Sequence, residues 1–156
     1  MKRTHVILAV TLATIASGST IAAAQGAGAS ATAHASHTTE VVLRHTRVGT
    51  ILTTSSGLTL YEFTRDRANE DSCVKIHGCS QAWPALQASG RPTAGSGVKA
   101  SLLSTIRISG GAKQVTYDGH ALYTYVGDSA GATSYVGVSA FGGSWDAINA
   151  AGRAVK

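Results

Sequence analysis

The chain matches itself. Shifted by 62 residues, segment 54–91 lies without a gap on segment 116–153, and thirteen of the 38 aligned positions are identical. The identical pairs are Thr54/Thr116, Gly57/Gly119, Leu60/Leu122, Tyr61/Tyr123, Asp66/Asp128, Ala68/Ala130, Ser72/Ser134, Val74/Val136, Trp83/Trp145, Ala85/Ala147, Ala88/Ala150, Gly90/Gly152 and Arg91/Arg153. Chance matching in a chain this rich in Ala, Gly, Ser and Thr would give about three. Both tryptophans of the protein fall on each other, which composition does not explain. Phe63/Tyr125, Ile76/Val138 and Leu86/Ile148 are conservative pairs. A unit this short has too little interior to stay folded alone. The copies are therefore expected to share one core about a pseudo-two-fold axis, with repeats at about 48–91 and 110–153 inside a single domain over 40–156.

The local patterns are those of strands. Val48–Thr53, the turn Ser55-Ser56-Gly57 and Leu58–Thr64 read as a hairpin. Thr105–Ser109 and Lys113–Tyr117 read as a second, joined through Gly110-Gly111-Ala112. Asp118-Gly119 is a favoured two-residue turn, and it leads into a third strand at His120–Val126. Helix signals are weak. The best is a short segment around Ser80–Ala82, stopped near Pro84 because proline disfavours helix just before it. The run Asp146–Ala151 fits a strand end or one helical turn. The expected fold is mainly β, a small sandwich or barrel.

The sharpest motif is Leu-Tyr-x-(Phe/Tyr)-x-x-Asp. It stands once as Leu60, Tyr61, Phe63 and Asp66, and again as Leu122, Tyr123, Tyr125 and Asp128. Alternate residues of a strand share a face, so Tyr61 and Phe63 point one way and Leu60 the other. Apolar residues on both faces mark a central strand. Asp66 and Asp128 fall at the strand ends, where a carboxylate accepts backbone N–H groups and fixes the next loop. The functional alternative makes Tyr61, Asp66, Tyr123 and Asp128 a polar site across the axis, suited to a ligand or to acid–base work.

Trp83 and Trp145 read as two plugs of a shared core, with an aromatic platform for a sugar or peptide as the alternative. Cys73 and Cys79 enclose a short segment containing Gly78, and export to an oxidising compartment favours a disulfide between them. They align with Tyr135 and Phe141, whose rings are expected to meet as the cysteines do. A Cys-x3-His-x-Cys set with His77 lacks a fourth metal ligand, and His34 and His37 lack a third. No metal and no cofactor is therefore expected. His120 stands where the first copy has Leu58, a partly buried strand position. It reads as a hydrogen-bonded histidine, with a pH-sensitive or ligand-facing role as the alternative. His45 carries no further signal. The Gly-rich stretch Gly127–Gly143 lacks the Lys-Ser/Thr ending of a phosphate-binding loop and reads as a flexible loop.

The N-terminus carries an address. Lys2 and Arg3 precede an apolar stretch from Val6 to Ile15, and Ala22-Ala23-Ala24 offers a cleavage site before Gln25. Residues 1–24 are thus expected to be a secretory signal peptide, too short in its apolar part to span a membrane. No cysteine near the site would carry a lipid. Residues 25–39, rich in Gly, Ala, Ser and Thr, read as a flexible linker. The whole chain has 13 Lys and Arg against 8 Asp and Glu. Removing Lys2 and Arg3 leaves 11 − 8 = +3. That small, scattered charge argues against a nucleic-acid partner.

The twin Tyr-x4-Asp motifs, the Cys73…Cys79…Trp83-Pro84 segment and the exported N-terminus together resemble a family of bacterial secreted repeats of unknown function. These are often described as predicted lipoproteins with a Y-x-(F/W/Y)-x-x-D motif. The resemblance runs from about Val48 to Val155. It implies an extracytoplasmic location and a β-rich tandem repeat, and it implies no activity. This chain departs from many members in lacking the lipid-acceptor cysteine. The function expected is a non-enzymatic binding or structural module of the cell envelope, its partner an envelope component or a small ligand. The alternatives are a metal-binding or redox envelope protein, and an enzyme using the Tyr/Asp pairs.

Overall fold

A computed structural model describes residues 38–156. The expected leader at 1–24, most of the expected linker, and His34 and His37 lie outside the described residues. Strands β1 (Glu40–Thr46) and β2 (Gly49–Thr54) form an antiparallel hairpin, and β4 (Thr93–Ala94) lies parallel to the other edge of β1. Strands β5 (Leu103–Arg107), β6 (Lys113–Tyr117) and β7 (His120–Ala121) form a meander. Its tight turn places Asp118 at φ 50° and Gly119 at φ 82°, the left-handed pair that a two-residue hairpin needs. In the third sheet, β9 (Gly143–Ile148) pairs with β3 (Tyr61–Phe63), β8 (Val138–Ala140) and β10 (Ala154–Val155). Helix α1 (Cys79–Ala82) is one turn, ending before Pro84. The protein is mainly β, its sheets open rather than closed.

The two copies are interlocked. β3, from the first copy, pairs with β9 of the second: Tyr61 opposite Ala147, Glu62 opposite Asp146, Phe63 opposite Trp145. The second copy's motif makes the same contacts with the first. Tyr123 bridges Ala85, Thr124 N–H donates to Pro84 C=O at 3.0 Å, and Val126 N–H donates to Ala82 C=O at 3.1 Å. On the pseudo-axis, Tyr61 and Tyr123 exchange both backbone hydrogen bonds, each 3.0 Å.

Strand alternation then builds two apolar clusters. Leu60 and Leu122 face one with Val41, Leu52, Val115, Tyr117 and Ile148. Tyr61, Phe63 and Tyr123 face the other with Trp83, Trp145 and the Cys73–Cys79 disulfide. The expected sidedness of the motif strand holds.

Several expectations change. β2 pairs mainly with β1, which the sequence did not suggest, because only Val41 in β1 is fully enclosed. The expected hairpin partner, 58–64, touches β2 through Leu60 N–H to Leu52 C=O at 3.1 Å and a bridge between Thr53 and Thr59. It then crosses to β9. The expected strand at His120–Val126 likewise leaves β6 after Ala121. Thr53 opposite Thr59 corresponds to Thr116 opposite Ala121, so Thr116 matches Thr53 and not Thr54. The first copy's turn holds one extra residue. Trp145 and Asp146 lie inside a strand rather than ending a loop. The Gly-rich stretch is anchored: Gly131 N–H donates to Gly57 C=O at 2.9 Å, and Thr59 Oγ1 donates to Ala132 C=O at 2.6 Å. Tyr135 and Phe141 both pack on the aromatic cluster, but the ring partner of Tyr135 is Tyr125, 4.1 Å between centroids.

Candidate functional site

The motif tyrosines and aspartates meet crosswise. Tyr61 Oη donates to Asp128 Oδ2 at 2.7 Å, and Tyr123 Oη donates to Asp66 Oδ2 at 2.7 Å. Each bond joins one copy's strand to the other copy's loop. Asp66 Oδ1 also accepts Ser72 N–H at 2.8 Å and Ser72 Oγ at 2.6 Å, so one carboxylate closes the loop that leads to the disulfide. Burial pushes both phenols well above the ordinary tyrosine range, and the facing carboxylate adds to the rise. Burial also raises both carboxyls, against the pull of their hydrogen bonds.

Behind these pairs lie the rings. Trp83 and Trp145 stack at 4.0 Å with planes 3° apart. Tyr61 meets Trp83 edge-on at 5.0 Å, and Tyr123 meets Trp145 edge-on at 5.2 Å. Phe63 stacks on Trp145 at 4.2 Å, as its counterpart Tyr125 lies on Trp83 at 4.5 Å. With 2% and 0% exposure, Trp83 and Trp145 present no face to a sugar or peptide.

Solvent reaches the motif beside Asp66, where the two copies meet. A cleft of about 110 Å³ is lined by Glu62, Phe63, Asp66, Arg67, Ala68 and the turn from Asp118 to Ala121. Across its mouth, His120 Nδ1 meets Glu62 Oε2 at 2.5 Å, the imidazole side chain 43% exposed and the carboxylate 9%. The Glu62 hydrogen bond holds the imidazole above the usual histidine range, overcoming the opposite effect of burial. Strand register accounts for the meeting: β3 sets Glu62 opposite the face of Tyr61 and Phe63, and the 118–119 turn swings His120 over it.

Sequence reasoning singled out His120, and missed Glu62, Arg67 and Asp118. A signal was present in the duplication. The second copy holds Thr124 for Glu62 and Ser129 for Arg67, and the first copy holds Ser56 for Asp118 and Leu58 for His120. Each of these four cleft positions is charged or titratable in one copy and neutral in its counterpart, and the two copies contribute two each. Among the described residues, no three His, Cys, Asp or Glu side chains are placed to hold a metal ion.

These features define a class: a tandem-repeat, mainly β domain whose copies interlock around buried aromatic rings. The family described as a secreted repeat of unknown function matches residues 43–87 and again 104–149, and the chain belongs to that family. No curated protein and no solved structure matches it significantly. Among the described residues, no helix is long and apolar enough to cross a membrane.

Proposed function

We propose that this protein is a non-enzymatic binding module of the cell envelope, exported by a leader at 1–24, whose Glu62–His120 cleft, lined by both copies, receives a small polar group. The carrying observation is the contrast between the copies. Thr124, Ser56 and Leu58 serve the same scaffold positions as Glu62, Asp118 and His120, so folding does not require those charges. Charge kept in a half-open cleft without a folding need favours a ligand. The volume, about 110 Å³, suits a terminal group and not a whole polymer. Glu62, Asp66 and Asp118 beside Arg67 suit the zwitterionic or ammonium-bearing end of an amino acid or amino sugar. The Tyr61–Asp128 and Tyr123–Asp66 pairs act here as tethers. Their phenols are enclosed, which speaks against acid–base chemistry on a substrate.

The test gives each of three cleft residues its neutral counterpart from the other copy: Glu62→Thr, Asp118→Ser and His120→Leu together. Glycine, alanine and glucosamine are titrated into the wild type and the variant while backbone amide resonances are followed. Saturable shifts at the cleft that vanish in the variant support the reading. Shifts that persist in the variant, or none with any of the three probes, overturn it.

A further inference from the structure

The ring contacts form one connected path. It runs from Tyr135 to Tyr125 at 4.1 Å, from Tyr125 to Trp83 at 4.5 Å, and from Trp83 to Trp145 at 4.0 Å. Tyr61 and Tyr123 abut the two indoles edge-on, and each donates its phenolic hydrogen to a carboxylate 2.7 Å away. Among aromatic side chains, indole and phenol give up one electron most readily. A phenol does so efficiently only when its proton has somewhere to go, and a positioned base within hydrogen-bond reach supplies that. The copies also differ in a way that gives the path an outer end. Tyr125 and Tyr135 are only partly buried and stand where the first copy has Phe63 and Cys73. Neither a benzyl ring nor a disulfide readily yields an electron, so the oxidisable path opens on the second copy's side alone.

The geometry points to a one-electron relay, in which a radical oxidant at the surface takes an electron from the Tyr125–Tyr135 pair and the hole passes through Trp83 and Trp145 to rest on Tyr61 or Tyr123. At Tyr61 the balance is simple. The oxidant gains one electron, the phenol loses one, and the Oη–H bond breaks as its proton bonds to Asp128 Oδ2. The products are a neutral phenoxyl radical and a neutral carboxylic acid. At Tyr123 the proton goes to Asp66. A one-electron donor of the hydroquinone class reverses each step, the proton returning from the carboxyl to the phenol. Burial of both phenols keeps the radicals from coupling with one another or with a second molecule. Burial of both carboxyls favours their protonated form, so they are good acceptors. The relay is independent of what the cleft binds.

Pulse radiolysis of the full chain with azide radicals tests it, with indolyl and phenoxyl absorbance followed in H2O and D2O. In the wild type, phenoxyl growth should match indolyl decay and slow in D2O. The double variant Tyr61→Phe/Tyr123→Phe should lose the long-lived phenoxyl signal. Asp66→Asn/Asp128→Asn keeps an oxygen acceptor but no base, and should slow phenoxyl growth about a hundredfold, the lower range of what a positioned base supplies. An unchanged long-lived phenoxyl signal in the tyrosine double variant overturns the relay. So does phenoxyl growth in the wild type that is indifferent to D2O, a reading that needs no variant to fold.

Discussion

A hydrogen bond between a phenol and a carboxylate is worth little where water competes, and more where burial removes the competitor. Asp66 and Asp128 sit between these limits, and burial raises both carboxyls above the usual range. The folded protein therefore binds these protons more readily than the unfolded chain. The stability they contribute is complete below the unfolded value of about 4 and is lost as pH rises through the higher folded value. In urea titrations, the wild type should thus gain on Asp66→Asn/Asp128→Asn as pH falls from 7 toward 4. A gap that narrows with acidification would mean that the carboxylates, not the carboxyls, are favoured. His120 follows the same sign. Its protonated form is favoured by Glu62, so its contribution is complete below about pH 6.5 and fades as pH rises through the folded value. Glu62→Gln should lower the midpoint of His120, read from the carbon-bound ring protons in an NMR titration. An unmoved midpoint would remove Glu62 as the cause.

At the scale of elements, the indole stack is what the two motif strands are laid against. Trp145 in β9 touches Phe63, Trp83 and Tyr123, rings from both copies. Trp145→Ala opens a hole that none of these rings can fill from its own strand. The cost should be about 3–5 kcal/mol in chemical denaturation, and a loss under about 1 kcal/mol would show that the cluster collapses readily. Much of this was legible in the sequence. The alternation of Leu60 against Tyr61 and Phe63 gave two faces, and the aligned tryptophans gave a common core. The partners were not legible. Nothing in the local pattern tells Tyr61–Phe63 to leave β2 for β9, because strand register between distant segments is set by tertiary packing and not by propensity. β1 escaped for a related reason: Arg44 and His45 break its apolar alternation at the exposed end. The cleft escaped because its charges come from two strands that meet only through the exchange.

For the whole molecule, the exchange means that neither copy owns its fold. Each hairpin, β1–β2 or β5–β6, is local to one half, but each motif strand finds its partner in the other copy, far along the chain. Such long-range pairings cost loop-closure entropy before any contact repays it, so folding should be slow and cooperative. They also predict how the chain divides. Ala100 and Ser101 are exposed, between β4 and β5. A fragment ending there keeps Tyr61, Trp83 and the disulfide, but loses β9 and the acceptor Asp128. The other fragment keeps Tyr123 and Trp145, but loses the Ala82–Ala85 edge and Asp66. Expressed singly, 38–100 and 101–156 should each lack the near-ultraviolet circular dichroism of a fixed indole. Mixed in equal amounts, they should recover it, because every pairing between the copies is available again. A single fragment that folds alone, with its tryptophan in a fixed environment, would show that the interlocking is incidental to stability. Recovery on mixing would show that the duplicated halves behave as two subunits joined by a linker, each unable to close its interior without the other.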